Sequence, residues 1–504
     1  MKTTRPRAIM VWGTSSGAGK SLLATALCRW AARQGIDVAP YKAQNMSNNA
    51  RVVPGLDGGF GEIGAAQYFQ ALAARVVPSV DMNPVLLKPE RDTASQVVLQ
   101  GTVAAHLSPL PWRQRSERLA RAAQESFARL RAKHELIVIE GAGSPAEINL
   151  AAHDYVNLGT ARWARDSGSL RSLLVTDIDR GGAFAHLYGT WQLLPDDLRA
   201  TLAGFVLNKF RGDAALLAPG PAQLQALTGV PTVAVLPMRR DHGLPEEDGV
   251  FDDAGHGAAS ASAQPDSALR IAVVAYPHIS NLDEFQALRQ LTGVRLRWAR
   301  CAADLKGAQW IVLPGSKQVS GDLAWLRVQG MEAPIRQHAA AGRPLLGICG
   351  GLQMLGHLLH DPDGVDGQAG GPVPGLGLLG LSTRYQAPKR VCAQRARFEG
   401  LAGPWQRLTG VGAEGYEIRS GVTAAAGGGG RLLSTTAVLL TASGEAIGWQ
   451  SGSVLGVYLH GLFESPAVLR ALFGQSVRTL DDSLNALADM VDLHFAAGVL
   501  LPQA

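Results

Sequence analysis

Short apolar runs alternate with stretches of helical composition through the first half of the chain. Ile9 to Trp12 and the segments VAPYK, ELIVIEG, SLLVTDID, LAGFVLNKF and PTVAVLPM each hold enough consecutive apolar residues for a buried strand. Between them, residues 61–75 and 111–132 read as helices. In the second of these, Arg113, Arg118, Arg121 and Arg129 read as a solvated face. Such alternation predicts a parallel sheet wrapped by helices. The rhythm stops at Asp252–Ser267, DDAGHGAASASAQPDS, which is small and polar with no apolar period and reads as a linker. A second alternation starts at Ile271 with IAVVAYP, WIVLPGS and PLLGIC. The expectation is an α/β protein with one domain over residues 1–250, a linker over 251–268 and a second domain over 269–504 that ends in a helical tail.

Composition narrows the class. At 504 residues, with 46% hydrophobic and 18% charged residues, the chain can bury more than one core. No stretch approaches the roughly 18 uninterrupted apolar residues of a membrane span. The basic residues Lys2, Arg5 and Arg7 precede an apolar run too short for a signal peptide. A soluble cytoplasmic protein is expected. The four cysteines, Cys28, Cys301, Cys349 and Cys392, lack C-x-x-C spacing, so neither a disulfide framework nor a zinc site is indicated. The net charge of +5 is spread out, without the basic block that would argue for nucleic acid.

The first chemical centre lies in VWGTSSGAGKSLLATALCRW. A strand, a glycine-rich turn and a helix start make an anion site, in which backbone N–H groups converge on phosphate. Gly13, Thr14, Gly17 and Gly19 are the loop candidates, Lys20 reaches terminal phosphates, and the Ser21 hydroxyl ligates Mg²⁺. ATP is the expected nucleotide. The loop is one residue longer than G-x-x-x-x-G-K-[ST], because the glycine sits at 13 and Thr14 takes the usual place. Glu140 ends the ELIVIE run, where a carboxylate can hold Mg²⁺ opposite Ser21, and Gly141-Ala142-Gly143 leave room for phosphate. Lys42, Gln44 and Asn45 end the second strand, at the carboxyl edge where open parallel sheets bind ligands. Lys42 suits a substrate carboxylate or the transferring phosphoryl group, with Asp177, Asp179 and Arg180 as weaker candidates for the same site.

The second centre is PLLGICGGLQMLGHLL, Pro344 to Leu359. A buried strand runs into Gly-Ile-Cys-Gly-Gly and then a helix, the arrangement of a nucleophile elbow. The small residues let a strained turn present the Cys349 sulfur, and the helix start behind it favours an anionic nucleophile. Its histidine base is expected at His460, which ends the run VLGVYLH. Pro314-Gly315-Ser316 follows the strand IVL, where a backbone N–H at Gly315 would join that of Gly350 as an oxyanion hole.

These residues carry a family resemblance. The chain resembles the cobyric acid synthases, glutamine-dependent amidotransferases of cobalamin biosynthesis, over nearly its whole length. The segments are GTSSGAGKS, YKAQNMSNNA, GEIGAAQ, NPVLLKP, EGAGSPAEINL, DIDRGGAFA and LNKFRGD in the first half, and LPGSK, GICGGLQMLG, GYEIRSG and VYLHGLF in the second. The resemblance implies a dethiobiotin-synthetase-like P-loop domain followed by a class I glutamine amidotransferase-like domain. The longer loop is similar to that of dethiobiotin synthetases, which phosphorylate a carboxylate or carbamate. It further implies amidation of side chains b, d, e and g of adenosylcobyrinic acid a,c-diamide, with L-glutamine as nitrogen donor, ATP and Mg²⁺ as cofactors and no redox cofactor. Cobyrinic acid a,c-diamide synthase shares both domain types, though YKAQNMSNN and EGAGSPAEINL favour the first reading. A partition-type ATPase switch would carry a lysine where this chain has Ser15. Two departures stand out. Class I glutaminases commonly carry a carboxylate two residues after the histidine; this chain has none there, and Glu464 is out of pattern. A Cys349–His460 pair without an acid is therefore expected, as in cobyric acid synthases. Arg419 stands in GYEIRSG where the family resemblance leads one to expect a histidine.

Overall fold

The computed structural model describes residues 7–91, 94–239, 242–244, 268–367, 370–426, 434–475, 477 and 479–500. Most of the expected linker lies outside them. The chain divides into two compact units, one comprising Met1–Ser47, Val53–Leu244 and Thr479–Ala504, the other Asn48–Val52 and Pro245–Arg478.

The first unit is built on a six-stranded sheet in the order Thr232–Pro237, Leu202–Phe210, Ser169–Asp177, Arg7–Gly13, Leu136–Glu140, Val38–Tyr41. Every adjacent pair is parallel. The near-continuous apolar runs are the consequence: both faces of each strand are covered, so no polar alternation survives. Arg7–Gly13 and Leu136–Glu140 lie side by side in register, which sets the glycine loop beside Glu140. A second, four-stranded sheet joins Gln44–Met46, Val85–Arg91, Ala94–Leu99 and Thr102–Val103.

Two expectations are corrected here. Residues 61–75 are not one helix: Phe60–Gly64 is a strand and the helix is Ala65–Ala73. Gly61 and Gly64 weaken any helix through them, and the Glu62 N–H bonds instead to the Gly101 carbonyl at 3.0 Å. In the expected helix at 111–132, which spans Trp112–Lys133, Arg129 is not merely solvated, since it grips buried Asp81 through two nitrogens at 2.7 and 3.0 Å.

The C-terminal tail, expected with the second domain, groups with the first. Helix Leu480–His494 lays Leu484, Leu487, Met490 and Val491 into the same core as Leu23 and Leu27 of helix Lys20–Arg33. Polar contacts fix its seat: Arg29 to Asp481 at 2.7 Å, Trp30 Nε1 to Asp492 at 2.8 Å and Arg33 to Asp489 at 2.6 Å. Arg29 is buried, and its Nε and Nη1 have no hydrogen-bond partner. Asp481→Ala would leave that head with the Leu72 carbonyl at 3.4 Å. A loss of about 1–3 kcal/mol is expected, read as a lower urea midpoint for unfolding of this unit.

The second unit carries an eleven-stranded sheet. Its parallel part runs Val294–Ala299, Leu269–Val274, Trp310–Leu313, Leu345–Ile348, Val454–Val457, and antiparallel strands continue from the last of these. Leu345–Ile348 and Val454–Val457 are hydrogen-bonded neighbours, so their carboxyl ends bring Cys349 and His460 to one edge. No helix among the described residues is long and apolar enough to cross a membrane.

Candidate functional site

In the first unit the sheet strand Arg7–Gly13 enters the glycine loop, and the helix begins at Lys20. Gly19 has φ 97° and packs so closely on Asn208 that a Cβ would lie 1.9 Å from its Nδ2. Asn208 in turn donates to the Ala18 carbonyl at 2.9 Å, and the Thr14 N–H bonds the Val175 carbonyl at 2.9 Å. The loop is thus pinned at both ends by neighbouring strands. Lys20 Nζ folds back to the carbonyls of Ser15 at 2.9 Å and Gly143 at 3.0 Å, beside Gly13. Arg180 borders Gly17, while Asp177 is taken up by Lys209 at 3.0 Å and Arg180 at 3.3 Å.

Glu140 is the hub of this site. Its Oε1 accepts from Ser21 Oγ at 2.7 Å and Lys42 Nζ at 2.8 Å, and its Oε2 from Gln70 at 2.5 Å and Gln67 at 3.3 Å. Burial alone would raise this carboxyl, but Lys42, Ser21 and Gln70 hold it below the usual range, so it is ionised. The Oε1 atoms of Gln67 and Gln70 are buried without a hydrogen-bond partner.

Lys42 therefore stands where the sequence placed it, at the end of Val38–Tyr41. Gln44 and Asn45 do not end that strand. They belong to the separate strand Gln44–Met46, because the chain leaves the sheet at Lys42 and pairs next with Val85–Arg91. Asn45 still approaches the hub: Asn45 Nδ2 and Gln67 Oε1 lie 2.4 and 3.0 Å from the position a Cβ on Gly64 would take. Gln44 is held by the Tyr155 hydroxyl at 2.6 Å.

In the second unit Cys349 follows the buried strand Leu345–Ile348 and precedes helix Gly350–Leu355. It has φ 51° and ψ −103°, a strained conformation for a residue with a Cβ. The turn is this tight because a Cβ on Gly351 would lie 1.8 Å from the Leu313 carbonyl oxygen. Cys349 Sγ lies 3.5 Å from the Ile418 carbonyl, and the cysteine acts electrostatically on the His460 imidazole. Burial would lower the His460 pKa, but Cys349 and Glu284 push it up to about 10, which favours an imidazolium beside an anionic partner.

Gly315 packs beside His460, and Gly350, next to Cys349 in the chain, packs against the Gly315-Ser316 segment. A Cβ on Gly315 would lie 3.0 Å from His460 Cε1, and one on Gly350 would lie 2.8 Å from the Ser316 nitrogen. Their loop is braced from behind, since buried Asp322 accepts from Ser316 Oγ at 2.6 Å and binds His278 Nδ1 at 2.9 Å.

The expectation of a histidine without a carboxylate is corrected. Glu284, buried on the turn Leu282–Phe285, has Oε1 3.3 Å from His460 Nδ1. Glu464 instead binds Arg51, at 3.0 Å to Nη1.

Comparison with known proteins agrees with both halves. The CobQ/CobB/MinD/ParA nucleotide binding domain matches residues 9–249, and the CobB/CobQ-like glutamine amidotransferase domain matches residues 270–468. The cobyric acid synthase of Methylibium petroleiphilum (strain ATCC BAA-1232 / LMG 22953 / PM1) is 63% identical, covering 98% of this chain and 96% of its own. That of Leptothrix cholodnii (strain ATCC 51168 / LMG 8142 / SP-6) is 61% identical, covering 98% of this chain and 96% of its own. That of Variovorax paradoxus (strain S110) is 60% identical over 98% of each. The chain belongs to the cobyric acid synthase family.

Within this member of the cobyric acid synthase family, Arg419 has a local occupation. It is buried, donates to Glu417 at 2.7 Å and the Gly421 carbonyl at 2.6 Å, and lies 4.1 Å over the Tyr458 ring. Gln67, Gln70, Asn208 and Glu284 escaped the sequence reading as site residues. The segments GEIGAAQ and LNKFRGD flagged the neighbourhoods of the first three; nothing local flagged Glu284.

Proposed function

We propose that this chain converts adenosylcobyrinic acid a,c-diamide to adenosylcobyric acid by amidating side chains b, d, e and g, using ATP and glutamine-derived ammonia. The observation that carries this is the 63% identity to a cobyric acid synthase over 98% of the chain. Relatives of that name at 60% and 61% favour it over the a,c-diamide synthase, and the amidotransferase match at residues 270–468 speaks against a partition-type switch. A cytoplasmic location belongs to the same proposal.

The chemistry is divided. At the first site a corrinoid carboxylate attacks the γ-phosphorus of ATP, giving an acyl phosphate and ADP. Ammonia then attacks the acyl carbon, and phosphate leaves. Lys20 and the N–H groups of the Gly13–Gly19 loop stabilise the transferring phosphoryl charge, and Lys42 neutralises the approaching carboxylate. One carboxylate, one hydroxyl and buried amide oxygens are the hard oxygen donors that suit Mg²⁺. Ser21 and Glu140 would hold that ion, which offsets phosphate charge when bound. At the second site the Cys349 sulfur attacks the glutamine amide carbon. The N–H groups of Gly315 and Gly350 receive the oxyanion, and His460 gives its proton to the departing ammonia. Water then hydrolyses the thioester to glutamate, with His460 as base.

Substrate labelled with ¹⁸O in its free carboxylates tests the activation step. Label appearing in the released inorganic phosphate is expected, because the carboxylate oxygen becomes the bridging atom. Phosphate free of label during active amidation would exclude the acyl phosphate.

A further inference from the structure

We propose that Glu284 is the carboxylate that positions His460 for glutamine hydrolysis, supplied from a turn 176 residues upstream instead of from the segment that follows the histidine. This rests on the glutaminase reading of Cys349 and His460.

The carboxylate has two visible tasks. Oε1 faces His460 Nδ1 at 3.3 Å, and Oε2 accepts the Gly461 N–H at 3.2 Å. Glu284 is fully buried, and a buried carboxylate is costly unless it is paired. Its pairing is with the imidazole and the main chain beside it. Asp283 is also buried but has its own cation in Arg51, which spares His460 from serving two carboxylates.

The turn itself is tied to the ring. Tyr416 stacks on His460 with centroids 5.3 Å apart and planes 17° from parallel. Asn281 donates to the Tyr416 hydroxyl at 2.6 Å and to the Ala50 carbonyl at 3.2 Å. Asn281 also opens the Leu282–Phe285 turn in a left-handed conformation, φ 57° and ψ 44°, which asparagine tolerates better than most residues. One residue thus anchors both the turn that bears Glu284 and the plate against His460.

The chemical consequence concerns the tautomer. A carboxylate accepting from Nδ1–H leaves Nε2 free to take the thiol proton, and it stabilises the imidazolium that results. The same proton then leaves from Nε2 with ammonia. Glu284 is a positioning residue: it acts through His460 and touches neither glutamine nor sulfur. A glutamine at 284 keeps an acceptor for the Gly461 N–H but turns its NH₂ toward Nδ1. Nδ1 must then accept, and Nε2 carries the proton that should be absent.

The test is steady-state glutamine hydrolysis by the full chain, with Cys349→Ala as the check on the underlying reading. For Glu284→Gln, kcat is expected to fall on the order of 10²-fold or more with KM within about threefold, since a tautomer error slows chemistry without emptying the glutamine site. Glu284→Asp keeps the charge and is expected to retain at least about tenfold more kcat than Glu284→Gln. Glu464→Gln, which alters one of the two carboxylates on Arg51 and does not touch His460, is expected within about tenfold of wild type, whereas His460→Ala loses most activity. The inference is overturned by kcat of Glu284→Gln within tenfold of wild type, by a raised KM with unchanged kcat, or by Glu284→Asp no faster than Glu284→Gln. If Cys349→Ala hydrolyses glutamine like wild type, the glutaminase reading itself fails instead.

Discussion

Lys20→Ala should lower amidation on the order of 10³-fold or more, with either glutamine or ammonia as nitrogen source, by comparison with other clamps on a transferring phosphoryl group. The ammonium is largely buried and sits between the Ser15 and Gly143 carbonyls, at the mouth of the pinned glycine loop. No other lysine lies in the loop, and Lys42, 2.8 Å from Glu140, is assigned to the incoming carboxylate rather than to the phosphoryl group. Alanine leaves the helix start intact, since it is the better helix former. Glutamine hydrolysis, which the proposal assigns to Cys349 in the other unit, should change far less. Amidation near the wild-type rate in the folded variant would show that Lys20 does not stabilise phosphoryl transfer.

Cys349→Ala should abolish glutamine-supported amidation while ammonia-supported amidation persists near the wild-type rate. Loss of an essential nucleophile costs on the order of 10⁴-fold or more in comparable hydrolases. Alanine has the same Cβ, so the strain at φ 51° is unchanged and the turn is not given a new reason to move. Comparing amide formation with each nitrogen donor reads the outcome directly. Loss of both activities in a folded variant would contradict the division of chemistry between the two units.

Legibility followed distance along the chain. Gly13 to Ser21 and Gly347 to Gly351 could be read because strand, turn and helix are consecutive, so the residues that shape the turn are also the ones that present the chemistry. Glu140 could be read as a strand-end carboxylate, and parallel pairing of its strand with Arg7–Gly13 brings it to Ser21. Gln44 and Asn45 were misplaced because the four-residue strand Val38–Tyr41 is followed almost at once by another strand in a different sheet. An apolar count does not mark such a break. The tail is the expected helix, yet a helical pattern does not say which core receives its buried face. Glu284 was invisible for a related reason: a lone acidic pair, Asp283-Glu284, reads as solvated until the fold folds it against His460 and Arg51. Arg419 marked a departure whose meaning lay in Glu417 and Tyr458, contacts made after folding.

The central claim is tested most directly by incubating the purified chain with ATP, glutamine labelled with ¹⁵N in the amide, and either adenosylcobyrinic acid a,c-diamide or unamidated cobyrinic acid. Mass spectrometry of the corrinoid counts the labelled amides. The account predicts ATP-dependent incorporation into the a,c-diamide, rising to four labelled nitrogens located on side chains b, d, e and g. Label confined to side chains a and c of cobyrinic acid, with the a,c-diamide left untouched, would contradict it.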